Sequence, residues 1–132
     1  MPKFGLMPQH VSLGVKRLNM VCWEWWRYVD RDNLNMGCGN NNLLGQLVKT
    51  VPWGGYDPFG LLTPYEAGAI MVFPEYGGEV PHLDVRAYYG FTILPDSHSR
   101  AFTYLTEHWL GRIRYFLERD KEGIRPDLLA SS

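Results

Sequence analysis

Apolar residues recur every three or four positions between Ser12 and about Asp30: Val15, Leu18, Cys22, Trp25, Trp26 and Val29. At about 100° per residue they share one stripe of a helix. Lys16, Arg17, Asn19, Glu24, Arg27, Asp30 and Arg31 fall on the other side, and Ser12 suits the N-cap. Met20 and Trp23 stand outside the stripe, among the polar positions. The next segment, Asn33–Asn42, is rich in Gly and Asn and predicts a loop. Leu43–Val51 predicts a short helix or strand ended by Pro52, and Trp53–Pro64 an irregular aromatic loop. Within it, Thr63-Pro64 suits the N-cap and N1 positions of a short turn.

The period then changes. Ala69–Phe73 is an apolar run that reads as a buried strand, followed by the turn-forming pair Gly77-Gly78. From Leu83 to Leu94, the residues Leu83, Val85, Ala87, Tyr89, Phe91 and Ile93 alternate with Asp84, Arg86, Tyr88, Gly90 and Thr92. A period of two predicts a strand with one face inward, so the two segments form a β-hairpin, with Pro74 and Pro81 flanking its turn. The helical period returns from about Ser97 to Lys121, where Phe102, Leu105, Trp109, Ile113, Phe116 and Leu117 make a core stripe. Asp96 or Ser97 caps this helix, Gly123 stands at C′, and Arg114 and Glu118 form an i,i+4 pair. The expected fold is therefore α+β: an N-terminal helix, an irregular aromatic loop region, a β-hairpin or small antiparallel sheet, and a long C-terminal helix. A single domain covers 1–123, and 124–132 form a tail.

Composition adds one outlier. The chain has 132 residues, 45% of them hydrophobic, with 13 basic against 14 acidic side chains and a net charge of −1. That balance gives no global pull toward nucleic acid or acidic lipid. Five Trp, eight Tyr and six Phe are more than so small a domain easily hides, and such residues favour partner surfaces. The longest apolar run, Ala67–Phe73, is far short of the roughly 20 residues of a membrane span. No apolar stretch of a secretory signal follows the start. Lys3, Lys16 and Arg17 precede Glu24, the first acid, so the start resembles an uncleaved organelle-targeting segment.

Candidate chemistry is sparse. Cys38, between Gly37 and Gly39, would need a base such as His82 or His98 to act as a nucleophile, and its loop matches no cysteine-hydrolase signature. Cys22 reads as a small buried hydrophobe, and a Cys22–Cys38 disulfide stays open. His10, His82, His98 and His108 lack metal-ligand spacing, and His82-x-Asp84 offers two ligands where zinc takes three or four. Neither G-x-G-x-x-G nor the Walker pattern occurs. No cofactor is expected.

Surface residues carry the remaining signal. Tyr104, His108, Arg112, Tyr115 and Arg119 form a second band beside the core stripe of the last helix. With Met20, Trp23 and the loop aromatics Trp53, Tyr56 and Phe59, they have the composition of binding hot spots. The expectation is a non-catalytic accessory subunit of a large multiprotein assembly, mitochondrial by its start. Its partners are other protein subunits, with a place beside a membrane complex open to it and no nucleic acid. A virion component and a small Cys/His-dependent enzyme are the alternatives.

Overall fold

The computed structural model describes residues 7–21, 24–38, 41–50, 63–93 and 100–121. Among them run α1 (Met7–Val21), α2 (Leu43–Thr50), α3 (Pro64–Val72), α4 (Leu83–Tyr88) and α5 (Ala101–Lys121), with 3-10 turns at Trp25–Tyr28 and Pro74–Tyr76. No strand occurs among the described residues, so the α+β expectation is corrected to a helical fold.

The expected hairpin fails at three points, each with a local cause. Ala69–Val72 close α3, and the box that starts that helix is complete: Thr63 Oγ1 accepts from Glu66 N, and Glu66 Oε1 accepts from Thr63 N. With Pro64 at N1, the chain is committed to a helix before the apolar run begins. A short apolar run by itself fits a buried helix as well as a strand. Gly77 and Gly78 do adopt positive φ, at 66° and 92°, but Gly77 caps the second 3-10 turn. The alternating segment begins as α4, whose N-terminus is capped by His82 Nδ1 accepting from Asp84 N. It ends in a Schellman turn: Phe91 N donates to Arg86 O and Gly90 N to Ala87 O, with Gly90 at φ 73°.

The first expected helix is split. Ser12 lies inside α1, which starts at Met7, so it is no N-cap. Beyond Val21 the chain turns at Glu24, whose backbone is left-handed (φ 59°, ψ 28°). Arg27 holds that turn, its N–H donating to Glu24 O and its guanidinium pairing with the Glu24 carboxylate at 2.7 Å. Two consecutive indoles of this 3-10 turn, Trp25 and Trp26, are both buried in the core. Leu43–Thr50 resolves the helix-or-strand choice as helix, capped by Asn42 Oδ1 accepting from Gly45 N. The expected caps of the last helix, Asp96, Ser97 and Gly123, lie outside the described residues, as do Cys22 and most of Trp53–Pro64.

Two seams hold the helices together. Between α2 and α3 the backbones touch: a methyl added at Gly68 would run into the carbonyl of Leu44, with Gly45, Ala67 and Ala69 buried nearby. Between α1 and α5 the filling is aromatic. From Phe73 the rings continue to Phe91 (5.9 Å between centroids), Trp109 (5.6 Å, stacked), Trp25 (5.7 Å), Phe116 (5.8 Å) and Trp26 (6.2 Å). Val11, Val15 and Leu18 of α1 pack on this row. Gly14 admits it, since a methyl there would strike the Trp109 ring and the Tyr89 carbonyl. The Trp109 N–H donates to Gly90 O at 2.7 Å, so the Schellman turn supplies both a ring and an acceptor. Trp109 is thus buried as expected, against a helix–turn segment rather than a hairpin face.

Arginines close both ends of the row. Arg17 lies 4.8 Å over Phe73 and pairs with Glu75 at 2.8 Å; Arg27 lies 4.8 Å over Trp26 and pairs with Asp120 at 2.6 Å.

Candidate interaction surface

The core stripe of α5 is Ala101, Leu105, Trp109, Ile113 and Phe116, spaced by four, four, four and three. Phe102, which the sequence places on that stripe, is instead 36% exposed and lies against Gly37. The segment 35–38 is held on α5 by Met36 N donating to Thr106 Oγ1. Ala101 is buried at this end of the stripe in place of Phe102.

Beside this stripe the expected band is largely outside the core. Tyr104 is 39% exposed, Tyr115 38%, and His108 is exposed, whereas Arg112 and Arg119 are half-buried. Tyr115 rests edge-on against Phe116 at 5.6 Å and under Arg119 at 5.1 Å, which fixes its ring on the core. Gly111 sits in the same band, exposed, and a methyl added there would meet nothing within 4 Å. A glycine in the middle of a helical pattern is the one signal of this position that the sequence carries.

Arg112 is the unusual member. Its Nε is buried and meets no hydrogen-bond acceptor among the described residues. Its neighbours one turn away on α5 are His108, Trp109, Tyr115 and Phe116, none of which carries a carboxylate.

Of the other expected contact residues, Met20 is 78% exposed on α1. Trp23, Trp53, Tyr56 and Phe59 lie outside the described residues. The structure therefore brings together the α5 band and leaves Met20 on a different helix.

The Cys38 carbonyl accepts from Asn41 N and Asn42 N in the turn before α2. His82 is spent on the α4 cap, 3.6 Å from Asp84, and His98 lies outside the described residues. His10 Nδ1 bonds the Tyr88 carbonyl at 2.8 Å, tying α1 to α4. No group of three His, Cys, Asp or Glu side chains able to hold a metal occurs among the described residues. No helix among them is long and apolar enough to cross a membrane.

The Tyr65 hydroxyl is perturbed. Burial pushes its pKa up against the opposing pull of Arg86 and Thr92, while the Arg86 guanidinium lies 5.3 Å over the Tyr65 ring. Arg86 also donates to Pro81 O, so this cluster ties α3 to the start of α4.

Comparison with known proteins finds no match to a family model, to a curated protein or to a solved structure.

Proposed function

We propose that the chain is a non-catalytic accessory subunit that docks onto other protein subunits through the exposed band of α5. Gly111 carries the reading. An exposed glycine in a helix interior costs about 1 kcal/mol relative to alanine. Gly14 and Gly68 repay that cost by admitting Trp109 and Leu44, but Gly111 faces open space. A partner backbone approaching between Tyr104, His108 and Tyr115 supplies the missing reason. Tyrosines bordering a small residue, anchored on a rigid helix, are a common composition for such a contact.

A mitochondrial setting is part of the proposal and rests on the basic, acid-free stretch before Glu24. Val11, Val15 and Leu18 of α1 belong to the core, so any import signal in that helix stays on the working chain.

Native mass measured in an extract of the source cells tests the reading. The chain is expected well above its own 15.2 kDa, and Gly111→Leu is expected to return it to the free species without loss of helix content. A free chain in the extract, or an assembly indifferent to Gly111→Leu, would overturn it.

A further inference from the structure

The docking reading says where a partner sits; the charges around Gly111 say which partner fits. We infer that the partner is a second copy of this chain, its α5 crossing the first antiparallel at Gly111 about a two-fold axis. This inference rests on the docking reading and names the partner.

The order of exposed residues on α5 carries it. Gly111 is preceded one turn away by Glu107 and His108 and followed one turn away by Arg114 and Tyr115, all exposed. At about 100° per residue, Glu107 and Arg114 fall on one flank of Gly111, and His108 and Tyr115 fall on the other. Along the axis, Glu107 lies about 6 Å before Gly111 and Arg114 about 4.5 Å after it. An antiparallel two-fold through Gly111 reverses the axis and keeps each flank on its own side. Glu107 of one copy therefore faces Arg114 of the other, twice, while His108 faces Tyr115 twice on the opposite flank. The match holds one turn further out. Tyr104, seven residues before Gly111, meets Glu118, seven after it, so that a hydroxyl can donate to a carboxylate. An isologous interface must be self-complementary in this way.

The charges also choose the direction. A parallel pairing would set Glu107 against Glu107 and Arg114 against Arg114, a juxtaposition that opposes association. Among the described residues neither side chain belongs to an ion pair, so both charges are uncommitted. The spacing of two crossing helices is set by the side chains at the crossing point, and there Gly111 offers none. A net charge of −1 gives the chain little general repulsion for its own copy. Exposed ion pairs contribute little affinity; here they fix register and direction, while the rings of Tyr104 and Tyr115 supply the surface to be buried.

Sedimentation of the full purified chain over a concentration series at low salt tests this. Wild type is expected to pass from 15.2 kDa to twice that mass as concentration rises. Glu107→Arg and Arg114→Glu each replace two ion pairs with two like-charge contacts. Each is expected to weaken the dimer roughly tenfold or more, with helix content unchanged. Mixed together, the two variants should pair with each other, because each supplies the charge the other lacks. The double variant should dimerise by itself, as wild type does. A chain that stays at 15.2 kDa at the highest concentration overturns the inference. So do single reversals that leave the dimer as it was, or a double variant no better than the singles. If the purified chain stays single while Gly111→Leu still releases it from its assembly in the extract, the second copy is wrong and the docking reading stands.

Discussion

The two seams of this fold are closed by opposite means. Between α2 and α3 a side chain is missing: Gly68 lets the helices meet backbone to backbone at Leu44. Between α1 and α5 the space is filled by the largest side chains available, Trp25, Trp109 and Phe116, and a glycine, Gly14, makes room for one of them. The difference shows that a glycine and a tryptophan serve the same end here, contact without a void, from opposite directions of volume. It also gives Gly111 its meaning, because Gly14 and Gly68 each have a neighbour that needs them.

The largest break in this comparison should come from Trp109→Ala. It removes a ring that contacts both Phe91 and Trp25 and leaves Gly90 O without its donor. The expected cost is about 3–5 kcal/mol, enough for urea denaturation to find little folded protein. Gly68→Ala tests the other seam. The colliding atom belongs to the Leu44 backbone, which cannot rotate away, so a loss of roughly 1–3 kcal/mol is expected. A neutral result in the same denaturation would mean that α2 and α3 slide apart freely.

Gly111→Ala should act in the opposite direction, raising stability by about 1 kcal/mol while weakening assembly. A denaturation midpoint that falls would show that Gly111 serves the fold itself.

The smallest effect concerns the arginine at one end of the ring row. The hydrogen bond from Arg17 holds the Glu75 carboxyl below its usual range. Burial acts against the charged Arg17 guanidinium, and its hydrogen bonds to Tyr89 and Glu75 more than offset this, raising its pKa. With a depressed folded value, Glu75 contributes at pH above the ordinary carboxylate range and ceases to as pH falls through its folded value. Wild type should therefore melt slightly above Glu75→Gln at neutral pH, and the two curves should converge in acid. A difference that persists in acid would assign the effect to something other than the ion pair.

Much of α5 was readable from its residues, because a stripe repeated over about four turns leaves little choice of face. Leu105, Trp109, Ile113 and Phe116 are all buried as their spacing requires. Phe102 escaped because the periodicity gives an angle on the helix and not where the neighbouring elements stop. The hairpin was misread for a different reason. Alternation over Leu83–Ile93 is real, but two local signals outweigh it: His82 at the N-terminus of α4 and Gly90 at its end. A glycine in an alternating run fits a bulge or a helix C′ equally well until the 6→1 and 5→2 bonds are seen. Thr63-Pro64-x-Glu66 was the stronger clue, since a complete capping box can be written down from the letters alone. The α5 band was legible as composition; the orphaned Arg112 Nε was not, because satisfaction of a donor is a property of three dimensions.

The Arg27–Asp120 pair, at the Trp26 end of the ring row, joins residues 93 positions apart. Helical domains usually fold on microsecond to millisecond timescales because their contacts are local. Here Trp25 can settle between Trp109 and Phe116 only after most of the described chain has been looped back on itself, and that closure entropy is met before the rings reward it. Individual helices should therefore appear early in a stopped-flow circular dichroism trace, while the indole signal of the α1–α5 seam arrives in a later, slower phase. A chain whose described elements are all helical is thus given the folding rhythm of one built from distant pairings.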